Sequence, residues 1–422
     1  MKASRIRSTT NSRPQNFKKK YKDTKPVYAP PLVKGIEYFF VGFLMRMHVI
    51  LIAIRSLKDL SKIHYVISEL IKLRKAYSGD FEISKLFKVD GKYYWDKNVP
   101  AWPSRAFVIY NESEINRIVP FRKNSDYLNS LIIDITNKCP LSCEHCFNWD
   151  TLNTSDRLSC DELKEIIQKF QQKGRGVAQI HFSGGEPMAR FKDLLSLLKS
   201  AEKSTDLWLL TSGFGLTMEK IQLLKSAGLS GINISLDHFD PEKHNAFRGS
   251  EYAFKWVENA VELAHKIKLP IVLTVCATPE FTNEKNFLEY AELAKKFGVS
   301  FIQILEAKSV GRYASKDTSL STGQVEALEE FFLKVNYSDE FEEYPAVSYY
   351  GYHQRRAGCY GGSSRYLYVD SDGTVNTCPF CRTKYSNVLH PGFDDELEKI
   401  QNKACHSFPD AELKTVAYES ID

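Results

Sequence analysis

Residues 131–149 read LIIDITNKCPLSCEHCFNW. A short apolar run with strand character, Leu131 to Ile135, passes into a loop that places Cys139, Cys143 and Cys146 within eight residues. A tetrahedral metal site takes four ligands, so three cysteines in one loop leave a fourth to be found.

Downstream, apolar runs alternate with amphipathic ones. Strands are expected at LIIDI (131–135), AQIHF (178–182), LWLLTS (207–212), GINISL (231–236), IVLTVCA (271–277) and SFIQILE (300–306). Helical patterns such as CDELKEIIQKFQQKG, FKDLLSLLKSAEK and WVENAVELAHKI lie between them. Consecutive β/α units of this kind predict an α/β fold with a parallel sheet closing partway, a partial (β/α)6 TIM-like barrel.

Function in such a barrel collects at the C-terminal ends of the strands, and the cysteine loop begins at the first of them. With spacings of x3 and x2, its thiols can turn toward one iron–sulfur cube and leave one iron open. Soft thiolates also suit zinc, with His145 or His181 as fourth ligand. The second strand ends in HFSGGEP (181–187). There Gly184 and Gly185 permit close approach of main chain to a ligand, and Glu186 supplies a carboxylate.

With these motifs in this order, residues 130–310 resemble the radical S-adenosylmethionine (SAM) enzymes. The resemblance implies a [4Fe–4S] cluster on Cys139, Cys143 and Cys146. Its free iron chelates SAM, which is cleaved reductively to a 5′-deoxyadenosyl radical. It also implies that the main chain of His145 lies near the adenine and that Gly184, Gly185 and Glu186 receive the methionyl amine. LLTSG (209–213) resembles the family's third-strand Thr-Asn-Gly and makes Ser212 a SAM contact, with Ser replacing Asn. ISLDHFDPEKHNAFRG (234–249) resembles the pattern of the branch that modifies peptides and proteins. It assigns Ser235 to the ribose region and Arg248 to the SAM carboxylate. His238 stands where the family usually has Gly. The motifs identify no catalytic acid, base or radical-quenching residue.

After a helix near 323–335 the β/α rhythm stops. Asp372-Gly373 marks a hairpin that presents Cys359 on one side and Cys378 with Cys381 on the other, and Cys405 follows a helical run. Gly373 and Cys378 have the Gly-x4-Cys spacing of the auxiliary-cluster (SPASM/twitch) extension, so the resemblance implies one auxiliary [4Fe–4S] cluster in the shorter twitch arrangement. Zinc on the same four thiolates is the alternative. Tyr349, Tyr350, Tyr352, His353, Arg355 and Arg356 are expected to pack a domain joint, with the lining of a substrate pocket as the alternative. Cys160 and Cys276 are expected to be buried thiols.

The chain of 422 residues carries +5 overall, but residues 1–26 hold nine Lys/Arg and one Asp, which leaves the rest at −3. That balance argues against nucleic acid as a partner. Residues 1–31 read as a disordered basic arm. Helices at 32–55 and 57–77 form an extension that either packs on the core or lies on an anionic membrane, because Arg46 and His48 interrupt the apolar run. A hairpin around Asp90-Gly91 and a linker occupy 78–125, the radical SAM core 126–335, and the auxiliary-cluster domain 336–422. The expectation is a cytoplasmic enzyme, either free or at the inner membrane face, that draws electrons from a flavodoxin or ferredoxin. Its expected substrate is a peptide or protein; a lipid or membrane-associated small molecule is the alternative. An iron–sulfur electron carrier or redox sensor is the competing class.

Overall fold

The structure, a computed structural model, describes residues 32–78, 85–123, 126–172, 174–359, 365–380 and 384–401. The expected basic arm, Cys381 and Cys405 lie outside the described residues.

The first helix, α1 (Gly35–Ser56), turns through Leu60–Lys62 into α2 (Ile63–Ser78). Its inward face, with Val41, Met45, Ile52 and Ala53, is buried against the residues that follow. The hairpin forms as expected at Asp90-Gly91, both at positive φ, between β1 (Phe87–Val89) and β2 (Lys92–Tyr94). The stretch read as a linker is instead largely α3 (Arg105–Ile118), started by Ser104, whose Oγ accepts from Phe107 N at 3.0 Å. A helix escaped notice there because Asn111, Glu112, Ser113, Glu114 and Asn116 break up its apolar pattern. Several of these polar groups are buried and paired: Asn129 Nδ2 donates to Glu114 Oε1 at 2.7 Å.

The six expected strands are β3 (Tyr127–Asp134), β4 (Gly176–Ser183), β5 (Asp206–Thr211), β6 (Leu229–Ser235), β7 (Ile271–Ala277) and β8 (Phe301–Glu306). All are parallel neighbours in chain order. Between them run α4 (Cys160–Gln171), α5 (Phe191–Ser200), α6 (Met218–Ser226), α7 (Pro241–Arg248), α8 (Ala253–Lys266) and α9 (Glu284–Lys296). Alternate strand residues such as Ile180, Phe182, Leu209, Ile232, Ile234, Leu273 and Ile304 bury under these helices. This apolar layer is the main core.

The other strand face, the lumen, is partly polar. Gln303 Oε1 accepts from Asn233 Nδ2 at 3.1 Å and from Lys97 Nζ at 2.8 Å, and Thr274 Oγ1 donates to Asn233 Oδ1 at 2.5 Å. Lys97 comes from the segment after the hairpin. Phe87, Val89, Tyr94 and Ala101 pack on Trp208, Val272, Phe301 and Ala346, near the starts of their strands, so this segment covers the N-terminal mouth of the barrel. Gly231 is required there, because a Cβ would meet the Trp208 ring at 2.4 Å.

Beyond β8 the rhythm continues for one unit: α10 (Thr322–Tyr337) leads to β9 (Ala346–Tyr349), parallel to β8. After α11 (Tyr350–Ala357), β10 (Tyr366–Val369) returns to the opposite edge beside β3 and turns back into β11 (Val375–Asn376). The C-terminal segment, which ends among the described residues with α12 (Phe393–Gln401), thus extends the barrel sheet at both edges. Of the residues expected at a joint, Arg355 pairs with Glu306 at 2.7 Å and Glu329 at 3.0 Å, and Arg356 pairs with Glu329 at 2.6 Å. They tie α11 to β8 and α10.

Candidate active site

The cysteine loop leaves β3 at the C-terminal end of the barrel and is held by main-chain bonds at several points. Ser142 N and Glu144 N donate to the carbonyls of Arg248 (3.2 Å) and Phe247 (3.0 Å) at the end of α7. Asn137 N is fixed by Asp156 Oδ1 at 2.7 Å, and Cys139 N by Asn153 Oδ1 at 2.9 Å. From beyond β8, Arg312 N donates to Cys146 O at 2.9 Å, and its guanidinium donates to Ser142 O at 2.5 Å while lying 4.3 Å over the Trp149 ring. Sequence reasoning missed Arg312, which sits in an unremarkable GRY turn.

Cys139, Cys143 and Cys146 gather with Leu141, Ala253 and Trp256 in one small apolar cluster. Burial pushes the Cys139 thiol up to about 12 and the Cys146 thiol up to about 11, and raises that of Cys143. A free thiolate is therefore disfavoured here, whereas a cation that takes the sulfur's charge offsets the lost solvation. Among the described residues no three His, Cys, Asp or Glu side chains are grouped closely enough to hold a single metal ion. The two histidines considered as fourth ligands are engaged elsewhere: His145 Nε2 faces Asp237 at 3.5 Å, and His181 stacks on Trp208 in the lumen.

Gly184 and Gly185 lie against the start of the cysteine loop. A Cβ on Gly184, at φ +137°, would stand 2.5 Å from Thr136 O, and one on Gly185 2.5 Å from Lys138 O. Gly185 N and Glu186 N donate to those same carbonyls at 2.7 and 2.8 Å. The glycines therefore let two strand ends interlock. The Glu186 carboxylate is buried and accepts from Thr211 Oγ1 (2.7 Å), Ser212 N (2.8 Å), Ser212 Oγ (2.6 Å) and Met188 N (3.1 Å). Those donors match the roughly four lone-pair positions a carboxylate has, so its side chain joins β4 to β5. Burial raises its pKa while these four donors oppose the rise.

After β6, Asp237 is the hub of a buried polar cluster. Arg248 Nη2 meets its Oδ2 at 2.5 Å, Cys276 N donates to its Oδ1 at 3.0 Å, and its own N–H donates to His244 Nδ1 at 3.1 Å. Burial works to raise the Asp237 carboxyl, but Arg248, His145, His244 and the Cys276 N–H together outweigh it and hold the group below the usual range. Arg248 Nη1 also reaches Cys143 Sγ at 3.5 Å. Ser235 ends β6, half-buried. Asp237 and His244 were legible only as parts of the Ser-Leu-Asp and His-x-x-Phe-Arg-Gly pattern.

The donor set fits a [4Fe–4S] cluster with SAM: three soft thiols, a buried guanidinium that touches one of them, and two buried polar atoms, Arg248 Nε and His145 Nδ1, without a hydrogen-bond partner. In the lumen below, Gln179 Oε1 and Trp208 Nε1 are likewise buried and unpartnered.

Toward the sheet edge, Cys359 and Cys378 both stand beside Tyr366, whose hydroxyl is held far above its ordinary value first by burial and then by these thiols. Phe147, next to Cys146, is 6.1 Å from Phe380 and 6.3 Å from Tyr368 between ring centroids. The two cysteine regions thus adjoin. Of the remaining pair, Cys276 is buried, whereas Cys160 is only partly so, at the first turn of α4.

Residues 133–294 match the family model of the Radical SAM superfamily. Among solved structures, Streptococcus suis SuiB bound to S-adenosylmethionine is similar with a TM-score of 0.52 at 14% identity, over 83% of this chain and 79% of that one. SuiB bound to precursor peptide SuiA gives 0.51 at 13% identity, over 82% and 78%. At such identities the likeness is one of fold.

Proposed function

We propose that this chain, a radical SAM enzyme by the domain it carries at residues 133–294, uses Cys139, Cys143 and Cys146 to modify a side chain of a peptide or protein. A [4Fe–4S] cluster held there by the three thiolates would supply the electron for reductive cleavage of SAM and with it the chemistry of hydrogen abstraction. The observation that carries this reading is the convergence of the cysteine loop, the Gly184–Glu186 turn, Ser212 and Arg248 at one end of one barrel.

Each residue has a distinct task. Arg248, with Nε unspent, binds the methionyl carboxylate and places positive charge beside Cys143. Because the Glu186 carboxylate is occupied, the turn of Gly184, Gly185 and Glu186 meets the methionyl amine through its main chain, and Glu186 keeps Ser212 in place. Ser235 contacts the ribose, and the main chain of His145 the adenine. The hairpin segment across the far mouth keeps bulk water from the lumen, where Gln179, Asn233, Thr274 and Gln303 offer hydrogen bonds to a polar substrate. Cys359 and Cys378, together with Cys381 and Cys405 from outside the described residues, would hold one auxiliary [4Fe–4S] cluster, a reading supported by the placement of the first two beside Tyr366. An external low-potential donor of the flavodoxin or ferredoxin class reduces the enzyme. The peptide substrate takes its support from the fold shared with SuiB, whose structure was solved with a precursor peptide.

Anaerobic reconstitution with iron and sulfide, followed by SAM and dithionite, tests the reading. 5′-Deoxyadenosine should form, and Cys143→Ala should abolish it. A fully reconstituted chain that leaves SAM intact would overturn the proposal.

A further inference from the structure

Helix α1 packs on the protein with only half of its circumference. Val41, Met45, Ile52 and Ala53 are buried on that side, and His48 turns inward, its Nδ1 accepting from Trp102 Nε1 at 3.0 Å. On the opposite side Ile36 is 88% exposed, Phe39 74%, Phe40 58% and Phe43 56%, and the row continues through Met47, Leu51 and Ile54. These positions step by three and four residues, so they form one apolar stripe along the helix. Such a stripe on a folded chain marks a docking surface.

We propose that this stripe docks the enzyme on an anionic lipid surface, with α1 lying in the plane of the interface. The inward face excludes a spanning role, since it is already bound to the hairpin and α3. Charge identifies the occupant. At about 100° per residue, Arg46 and Arg55 fall on the two margins of the stripe, and both are exposed, free to reach headgroups while their stems lie along the apolar face. The single acid of α1, Glu37, is paired with Lys88 at 2.8 Å. Exposed Lys58, Lys62, Arg74 and Lys75 follow on the next turn and α2, and residues 1–26, which lead to this helix in sequence, carry nine Lys/Arg against one Asp. An aromatic stripe with cations at its margins and a basic neighbouring segment is the composition that binds acidic leaflets. A second copy of this chain would bring the same cations against one another.

The test is flotation of the full reconstituted chain with vesicles of phosphatidylcholine alone and of phosphatidylcholine with an equal part of phosphatidylglycerol. The chain should float with the anionic vesicles only. Phe39→Ser, Phe40→Ser and Phe43→Ser combined should weaken that binding by at least about tenfold while leaving SAM cleavage unchanged. Arg46→Gln with Arg55→Gln, which keeps the apolar stripe, should weaken it severalfold and serves if the serine variant fails to fold. Equal binding to neutral vesicles, no flotation, or a dimer in vesicle-free solution that the serine variant splits into monomers would each overturn the proposal.

Discussion

The guanidinium of Arg248 stands 3.5 Å from the sulfur of Cys143. Its other end meets Asp237 at 2.5 Å, with both side chains nearly excluded from solvent. One buried cation therefore couples the loop after β3 to the strand end of β6.

Removing only one member of that pair leaves an unpaired buried charge. Arg248→Met is expected to destabilise the metal-free chain by about 3–5 kcal/mol, and the double variant with Asp237→Asn by clearly less. Urea unfolding of the parent, each single variant and the double variant checks this; single losses that simply add in the double variant would show that the pair is not coupled.

Glu186→Gln keeps the shape of the side chain but turns one acceptor oxygen into a donor facing Ser212 N and Ser212 Oγ. A loss of about 1–3 kcal/mol is expected from the unsatisfied donors. In the reconstituted enzyme, SAM cleavage should fall with it because Ser212 is released. Denaturant titration and a 5′-deoxyadenosine assay read the two effects separately.

Two glycines of unlike surroundings provide a matched comparison. Gly184→Ala places a Cβ 2.5 Å from Thr136 O at φ +137°, whereas Gly91→Ala, at φ +76°, meets nothing within 4 Å. The second should cost about 1–2 kcal/mol of backbone strain alone. The first should cost more and should also reduce iron uptake, because the cysteine loop must shift. Melting temperature and iron content after reconstitution measure both.

Burial brings the Lys97 amine down to about 8. Between that value and the ordinary lysine range the unfolded chain binds more protons at this site than the folded one, so its contribution to stability rises as pH increases through the window. At lower pH both states carry the charge and the slope vanishes. Across the window the gain is at most about 3 kcal/mol. Lys97→Met should remove that slope, seen as the difference between parent and variant urea midpoints from neutral to alkaline pH.

Much of the barrel was legible because its strands are buried on one face by helices, which forces apolar residues at alternate positions and leaves amphipathic runs between. The same alternation held a further clue: Gln179, Asn233, Thr274 and Gln303 occupy lumen positions where an apolar residue would serve a closed core. Edge strand β9 escaped because four residues carry too little pattern; β10 and β11 were legible as the hairpin at Asp372-Gly373 but the pairing of β10 with β3 was not. Helix α3 escaped because its buried Glu114 is stabilised by partners distant in the chain, Asn129 and Arg365.

The amino-acid sequence by itself determined the order of β/α units, the thiols after the first strand, and the glycine pair after the second, since each depends on residues adjacent in the chain. Only the tertiary structure decided that Glu186 would spend its carboxylate on Thr211 and Ser212, that Arg248 would bridge Cys143 and Asp237, and that half of α1 would remain uncovered. Those outcomes rest on distances between segments far apart in the chain. Buried polar atoms take whichever partners packing brings within hydrogen-bond reach, and no local pattern encodes that choice.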